Sequence, residues 1–305
     1  MRAQLDAVVE ELRRLRSEGV TQVYVDEDTL TRLRAAVGQS AAPAVDPVEA
    51  APSFAAAPAP APTRRAASAA SANTPGLRWD GKPIEPLPAP PVIMLPQGSK
   101  AEQMAWLRER VLADPVCNAH LRPGQKLVFG VGTPAAEIFF CGEGPGADEE
   151  QQGEPFVGPA GQLLTKIILA MGLTREKVYI GNVMKWRPEM PTEWGNREPT
   201  PEEIAFSLPF LRAQLAIVQP KVIVALGNTA VNALLGPDPD RKMKDIRGRW
   251  HAFEGVPMMF TYHPSYLLRQ TANSAKRQVW EAMLEVMQRV GLPISEKQRA
   301  FFSGK

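Results

Sequence analysis

The stretch from Ala136 to Leu164, AEIFFCGEGPGADEEQQGEPFVGPAGQLL, decides how the rest of the chain is read. Ile138 to Cys141 is a short apolar run with two aromatics and no breaker, the pattern of a buried strand. Gly142, Gly144 and Gly146 follow around Glu143 and Pro145, and glycines there let backbone approach a ligand without Cβ clashes. A second turn, Gly153 to Gly158, delivers Pro155 and Phe156, and Gly161 to Met171 has the apolar spacing of a helix. In open α/β sheets, ligands bind where strands end and helices begin. A dinucleotide fingerprint needs G-x-G-x-x-G opening a helix directly and an acid about 20 residues on. Here the spacing is G-x-G-x-G, a dozen-residue loop is expected before the helix, and that region, near Lys166, carries no acid. The other reading is a pocket of backbone amides with one carboxylate, Glu143, and one aromatic platform, Phe156.

Outward from this stretch, strands and helices alternate. Ser99 is placed to cap a helix through Met104, Leu107 and Val111. Lys177 to Met184 reads as a strand with Asn182 near its end, and Lys185, Trp186, Arg187 and Pro188 leave it. Thr200 with Glu203 forms a capping box for a helix through Leu215. Lys221 to Leu226 is wholly apolar but for its first residue, so both faces are expected to be covered. Ile246 to Phe253 and Val256 to Thr261 read as a hairpin, followed by Tyr262-His263-Pro264-Ser265-Tyr266-Leu267-Leu268-Arg269 and a last amphipathic helix, Ser274 to Val290. The pattern predicts an α/β fold: a mostly parallel sheet with helices on both faces.

The bulk numbers narrow the class. The 305 residues carry 35 Lys plus Arg and 33 Asp plus Glu, a net charge of +2, so any basic surface must be local. Two cysteines, Cys117 and Cys141, exclude a disulfide framework and a four-cysteine cluster. The first residues, MRAQLDAVVEELRR, have charges where a signal peptide needs an apolar core, and a soluble, cytoplasmic protein is expected. Residues 1–38 read as a small helical module, with Leu5, Val8, Val9, Leu12 and Leu15 on one helix face and Leu30, Leu33 and Val37 on another; it suits docking to a protein partner or self-association. Residues 39–96 are rich in Pro and Ala and read as a semi-stiff disordered linker, 97–295 as the main domain and 296–305 as a tail.

Three stretches fall after strands and so at one edge of the sheet: Glu143 to Phe156, Asn182, and His263 to Arg269. An aromatic face, an amide and a histidine suit a flat heterocycle. Asn182 offers an acceptor and donors to an imide edge, and His263 can donate to a ring oxygen that gains charge as a bond breaks.

GEGPGADEEQQGEPFVGPAGQLL, then NVMKWRP, then HPSYLLR resembles the uracil-DNA glycosylase superfamily, and within it the family-four enzymes of bacteria and archaea. The resemblance covers about Leu127 to Val290. It implies a three-layer α/β/α sandwich around a four-stranded parallel sheet, and hydrolysis of the N-glycosidic bond of deoxyuridine in DNA to leave an abasic site. Glu143 then falls at the acid that orients water, Phe156 at the stacking aromatic, and Asn182 at the reader of the uracil edge. Gly144 falls in the uracil-binding loop and His263 at the histidine that stabilises the departing anion. Glu149 lies in the acidic segment near the pocket. Leu267 is placed as the wedge that fills the base stack, and Ser265 and Arg269 as contacts to the DNA backbone. The partner implied is uracil-containing DNA, with no membrane.

One departure is large. Family-four enzymes resembling this chain carry a four-cysteine iron–sulfur cluster, yet Trp186 and Ser207 stand where two of those cysteines are expected. Cys117 and His120 form half of a metal site at most, and Cys141 lies in a strand. No cofactor and no metal site is expected, and the region is expected to be rebuilt by apolar packing that includes Trp186. The segment Pro188 to Pro199 has no histidine, so the covalent trapping seen in one uracil-binding relative is not expected. Two other classes stay open: a non-catalytic module binding damaged or single-stranded DNA, and a small-molecule nucleoside enzyme.

Overall fold

The computed structural model describes residues 78–190, 195–236, 238, 240–270 and 273–302. The helical module expected in residues 1–38 and the linker up to residue 77 lie outside the described residues.

Six strands form one sheet in the order β1-β3-β2-β4-β6-β5. They are β1 (Val131–Gly132), β2 (Ile138–Gly142), β3 (Tyr179–Asn182), β4 (Val222–Leu226), β5 (Trp250–Phe253) and β6 (Val256–Thr261). β3, β2, β4 and β6 are mutually parallel, so the expected four-stranded parallel core is there. The sheet is wider than that core because β1 and β5 pair antiparallel at its two edges. β2 and β4 are buried along their whole length. Their period of two sends alternate residues to opposite layers. Phe139, Cys141, Ile223 and Ala225 enter one core. Ile138, Phe140, Val222, Val224 and Leu226 enter the other.

Helices cover each face, giving three layers. On the first side lie α1 (Lys100–Leu112) and the short α2 (Pro115–Ala119). Ser99 and Glu102 cap α1 reciprocally, as the sequence predicts. Between β2 and β3 run α3 (Ala147–Gln152), α4 (Pro159–Ala170) and a 3₁₀ turn, Arg175–Lys177. The acidic segment expected as loop is thus helical in α3. α5 (Pro201–Val218) starts at the Thr200–Glu203 capping box and joins the first face with α6 (Asn228–Leu235). A single turn, α7 (Met243–Ile246), precedes β5 where the start of a strand is expected. α8 (Pro264–Leu268), α9 (Asn273–Val290) and α10 (Glu296–Arg299) complete the chain. α4 and α9 pack on the second face. No helix among the described residues is long and apolar enough to cross a membrane.

Two segments differ from the boundaries read in sequence. Leu87, Ile93 and Leu95, placed in the linker, pack against the first core, and Arg78 donates to the Ala119 carbonyl at 2.7 Å. The folded part therefore begins ahead of Gln97: three apolar anchors suffice to hold a Pro-rich segment that has no periodicity. At the other end, Trp280 Nε1 donates to the Gln298 carbonyl at 2.7 Å, and Gln298 Nε2 donates to the Ala170 carbonyl at 2.8 Å. The expected tail is tied to α9 and α4.

Candidate active site

A cleft of about 720 Å³ opens at the carboxyl ends of the parallel strands. Glu143 and Gly144 from the loop after β2, Thr229 from α6, and His263, Ser265 and Arg269 around α8 all line it. The loop after β2 is not free. Val183 N–H donates to the Gly142 carbonyl at 3.0 Å and Met184 N–H to the Glu143 carbonyl at 2.9 Å. These bonds fix the backbone from which the Glu143 carboxylate projects.

Asn182 and Phe156 sit just behind the lining, drawn together by Gly142. A Cβ on Gly142 would fall 2.4 Å from Asn182 Oδ1 and 2.6 Å from Phe156 Cζ, so only glycine fits. The Phe156 ring lies 5.6 Å from the His263 ring, tilted by 32°. The structure thus brings together Glu143, Gly144, Phe156, Asn182 and His263. Asn182 is 2% exposed, and its Oδ1 has no hydrogen-bond partner among the described residues. A buried amide oxygen left unpaired costs about 1–3 kcal/mol, so a ligand donor there recovers that cost.

His263 is a helix N-cap. The Ser265 N–H donates to its Nδ1 at 3.2 Å, and the Ser265 hydroxyl lies 2.8 Å from the same nitrogen. Nδ1 is therefore an acceptor, and in the neutral ring the proton sits on Nε2. Burial, aided by the charge of Arg269, pushes the ring's pKa down to about 4. At neutral pH this histidine is an uncharged donor. Burial moves the Glu143 carboxyl the other way, above its usual range; a hydrogen bond from Thr229 opposes that rise and Glu198 adds to it.

Phe156 holds a left-handed backbone, φ 55°, uncommon for a bulky residue. Arg175 accounts for it. Its guanidinium donates to the Pro155 carbonyl at 2.7 Å and the Phe156 carbonyl at 3.0 Å. A Cβ on Gly161 would come within 1.8 Å of the Phe156 carbonyl oxygen, so α4 closes on the turn from the other side. Arg175 carries no signal in sequence, lying 19 residues from the carbonyl it holds. Lys185 is a second residue the sequence reading leaves out. It is fully buried and its ammonium donates to the Asn182 carbonyl and to Gln214 Oε1, both at 2.7 Å. A lysine inside the apolar run Val183-Met184-Lys185-Trp186 is the one hint of it.

Two residues are placed elsewhere than expected. Glu149 does not face the cleft. Its Oε2 accepts from the Gly146 N–H at 3.1 Å, and its Oε1 from the N–H groups of Val157 at 2.9 Å and Gly158 at 3.0 Å. It is a clamp that closes the loop, its acceptor capacity spent on backbone donors. Leu267 is 3% exposed, packed with Ala275 and Val279, while its neighbour Leu268 is 52% exposed. One residue advances a helix by about 100°, so in the five-residue α8 the first leucine faces α9 and the second faces out. The wedge expected at Leu267 is buried.

The family model described as the uracil DNA glycosylase superfamily matches residues 129–285, which hold all of these elements. The chain belongs to that superfamily. It is similar to a type-4 uracil-DNA glycosylase of Thermotoga maritima, 41% identical over 186 residues that cover 60% of this chain and 92% of the relative. Similar enzymes of the same description occur in Archaeoglobus fulgidus, 40% identical over 158 residues (50% of this chain, 76% of the relative), and in Pyrobaculum aerophilum, 39% over 151 residues (48% and 74%). Within the superfamily this chain falls in family four.

The residues at the expected cluster position of a family-four glycosylase do not fit an iron–sulfur cluster. Trp186 is fully buried, stacked on His120 at 5.0 Å and edge-on to Phe206 at 6.1 Å. The Ser207 hydroxyl donates to the Val183 carbonyl at 2.8 Å. Cys117 is fully buried, and burial pushes its thiol far above the ordinary range, away from the thiolate a metal needs. An indole, a bonded hydroxyl and one protonated thiol cannot supply four thiolate ligands.

Proposed function

We propose that this protein excises uracil from DNA, hydrolysing the bond between uracil N1 and the deoxyribose. The observation that carries this reading is the unpaired Oδ1 of Asn182, buried just behind the cleft lining next to Phe156, whose ring lies 5.6 Å from that of His263. A base inside a duplex cannot reach such a recess, so the nucleotide leaves the stack first, at a cost of a few kcal/mol. Phe156 then stacks on the flipped ring. Asn182 Oδ1 accepts from the imide N–H, and its amide N–H donates to the neighbouring carbonyl. Leu268, exposed where Leu267 is not, fills the gap in the stack, and Ser265 and Arg269 hold the backbone.

As the glycosidic bond breaks, its electron pair leaves with the base. Neutral His263 donates from Nε2 to the ring oxygen that gains this charge, and no charged imidazolium is needed. The Glu143 carboxylate faces the opposite charge on the sugar and takes a proton from the water that adds there. Burial keeps Glu143 a stronger base than an exposed carboxylate. No step is assigned to a cluster. Residues 1–38 and the linker after them are assigned no part in the chemistry; they serve attachment to a protein partner or a second copy. Acting on DNA, the enzyme works in the cytoplasm, nucleoid-associated in a bacterium.

Release of free uracil from a single-stranded oligonucleotide bearing one labelled uracil tests the proposal. Release by the parent and a loss of about 10²–10³ in rate for His263→Ala are expected. Tight binding of the oligonucleotide with no release would instead make the protein a non-catalytic DNA-binding module.

A further inference from the structure

The cleft is far larger than one pyrimidine: about 720 Å³ is room for a drug-sized ligand. Of the groups assigned to the base, Glu143, Gly144 and His263 line it and Asn182 and Phe156 lie behind them, which leaves much of its wall unassigned. Part of that wall is aromatic and cationic. Tyr262 and Tyr266 stack at 4.6 Å with their planes 18° apart. The Arg247 guanidinium lies 4.1 Å from the Tyr262 ring centre. At these distances Tyr266 and Arg247 cannot share one face of Tyr262, so both its faces are taken and its position is set. Both tyrosines also pack in part against Leu267, Ala275 and Val279, which anchors the stack to α9. Tyr266 and the two cations Arg247 and Arg269 remain at the cleft surface, half-buried or exposed.

The geometry points to a second base-binding subsite on Tyr266, taking the nucleobase next to the flipped uracil, with Arg247 and Arg269 on the phosphates that flank it. This rests on the glycosylase reading only in naming the nucleotide as uracil's neighbour. Three observations support it. A tyrosine held in a fixed stack loses little freedom when a base adds to it, and stacking of this kind tolerates any base because each has a π face. Arg247, on the far face of Tyr262, and Arg269, three residues after Tyr266, line the same cleft as the stack, so a backbone running past the platform meets cations along its path. Tyr266 also lies only three residues from His263, about 4.5 Å of helical rise, a separation on the scale of one nucleotide step. A strand with an unpaired neighbour offers that base at no unpairing cost, which makes single-stranded and bubble DNA the favoured substrates.

The test uses the full chain and single-stranded oligonucleotides with one uracil, intact or lacking the base on its 5′ or its 3′ side. Affinity is read by fluorescence anisotropy with a non-cleavable deoxyuridine analogue, and release by single-turnover kinetics. Removing the base on one side should weaken parent binding by about 5–10-fold, the low end for a stacked base. Tyr266→Leu should lose that factor on the intact strand and become indifferent to base removal, whereas Tyr266→Phe should keep the sensitivity. A parent indifferent to base removal on both sides overturns the subsite without recourse to any variant. So does a folded Tyr266→Leu protein that discriminates as the parent does. If the parent shows the base dependence yet releases no uracil, the subsite stands and the glycosylase reading falls.

Discussion

Replacing Arg175 by alanine should slow uracil release although Arg175 is expected to touch neither DNA nor water at the reaction centre. The left-handed turn at Phe156 costs on the order of 1–3 kcal/mol for a non-glycine residue. Against it stand two hydrogen bonds from a guanidinium, at 2.7 and 3.0 Å, and a weaker one to Thr165 Oγ1 at 3.3 Å. Bonds to a charged donor contribute about 1.5–3 kcal/mol each. Arg175→Ala therefore removes more than the strain it offsets, and the turn relaxes with Phe156 displaced from the base site. A loss of about 2–3 kcal/mol in transition-state stabilisation corresponds to roughly 30- to 160-fold in kcat/KM. The assay is single-turnover release from a uracil oligonucleotide, run beside thermal unfolding so that a folded fraction can be assigned. The decisive arm is a double-mutant cycle. If Arg175 acts through Phe156, Arg175→Ala in a Phe156→Ala background should cost almost nothing further. Fully additive losses would refute the reasoning, and so would an Arg175→Ala enzyme of parental rate.

The pH dependence should follow Glu143 rather than His263. The Glu143 carboxyl is raised by burial, so the rate should fall with pH from above the ordinary carboxylate range, while His263 stays neutral down to about 4; Glu143→Gln should abolish that limb and cost about 10²–10⁴ in rate. Asn182→Asp removes the amide donor and adds an acceptor, so uracil release should drop and cytosine release appear; unchanged uracil release would remove Asn182 from base recognition. Purified protein should carry no brown chromophore and keep its rate after strong chelation, and stoichiometric iron and sulfide would contradict the packing around Trp186. Lys185 loses its proton at about 8 in the fold against 10.5 when unexposed to burial in the unfolded chain. Between those values the unfolded chain binds more protons, so stability should rise with pH across that window, by about 3 kcal/mol in all, as urea titrations can measure; Lys185→Met should be flat there.

The parallel core was legible because its signals are local. Ile138 to Cys141 and Lys221 to Leu226 are apolar on both parities, and the Ser99–Glu102 and Thr200–Glu203 pairs mark helix starts. The gathering of Glu143, Asn182 and His263 at one edge followed from strand ends alone. What escaped depends on tertiary placement or on phase. β1 is a two-residue pairing with no pattern to read. Leu267 and Leu268 are chemically equal, and only the rotation of a five-residue helix decides which is buried. Glu149 in an acidic run looks like a solvent-facing or pocket carboxylate until its three backbone donors are seen. Leu87, Ile93 and Leu95 hide among prolines because an extended segment packs without periodicity.

The two antiparallel edge strands bear on colloidal behaviour. A parallel sheet that stopped at β3 and β6 would present the free amides and carbonyls of a four- and a six-residue strand, the kind of edge on which chains can pair. Here β1 shields one side with only two residues, and β5 shields the other with four, turned back as a hairpin. An approaching strand meets at most a few unpaired groups at either flank, too few to seed a shared ladder. Among the described residues, neither flank of the sheet offers a long open strand for another chain to extend.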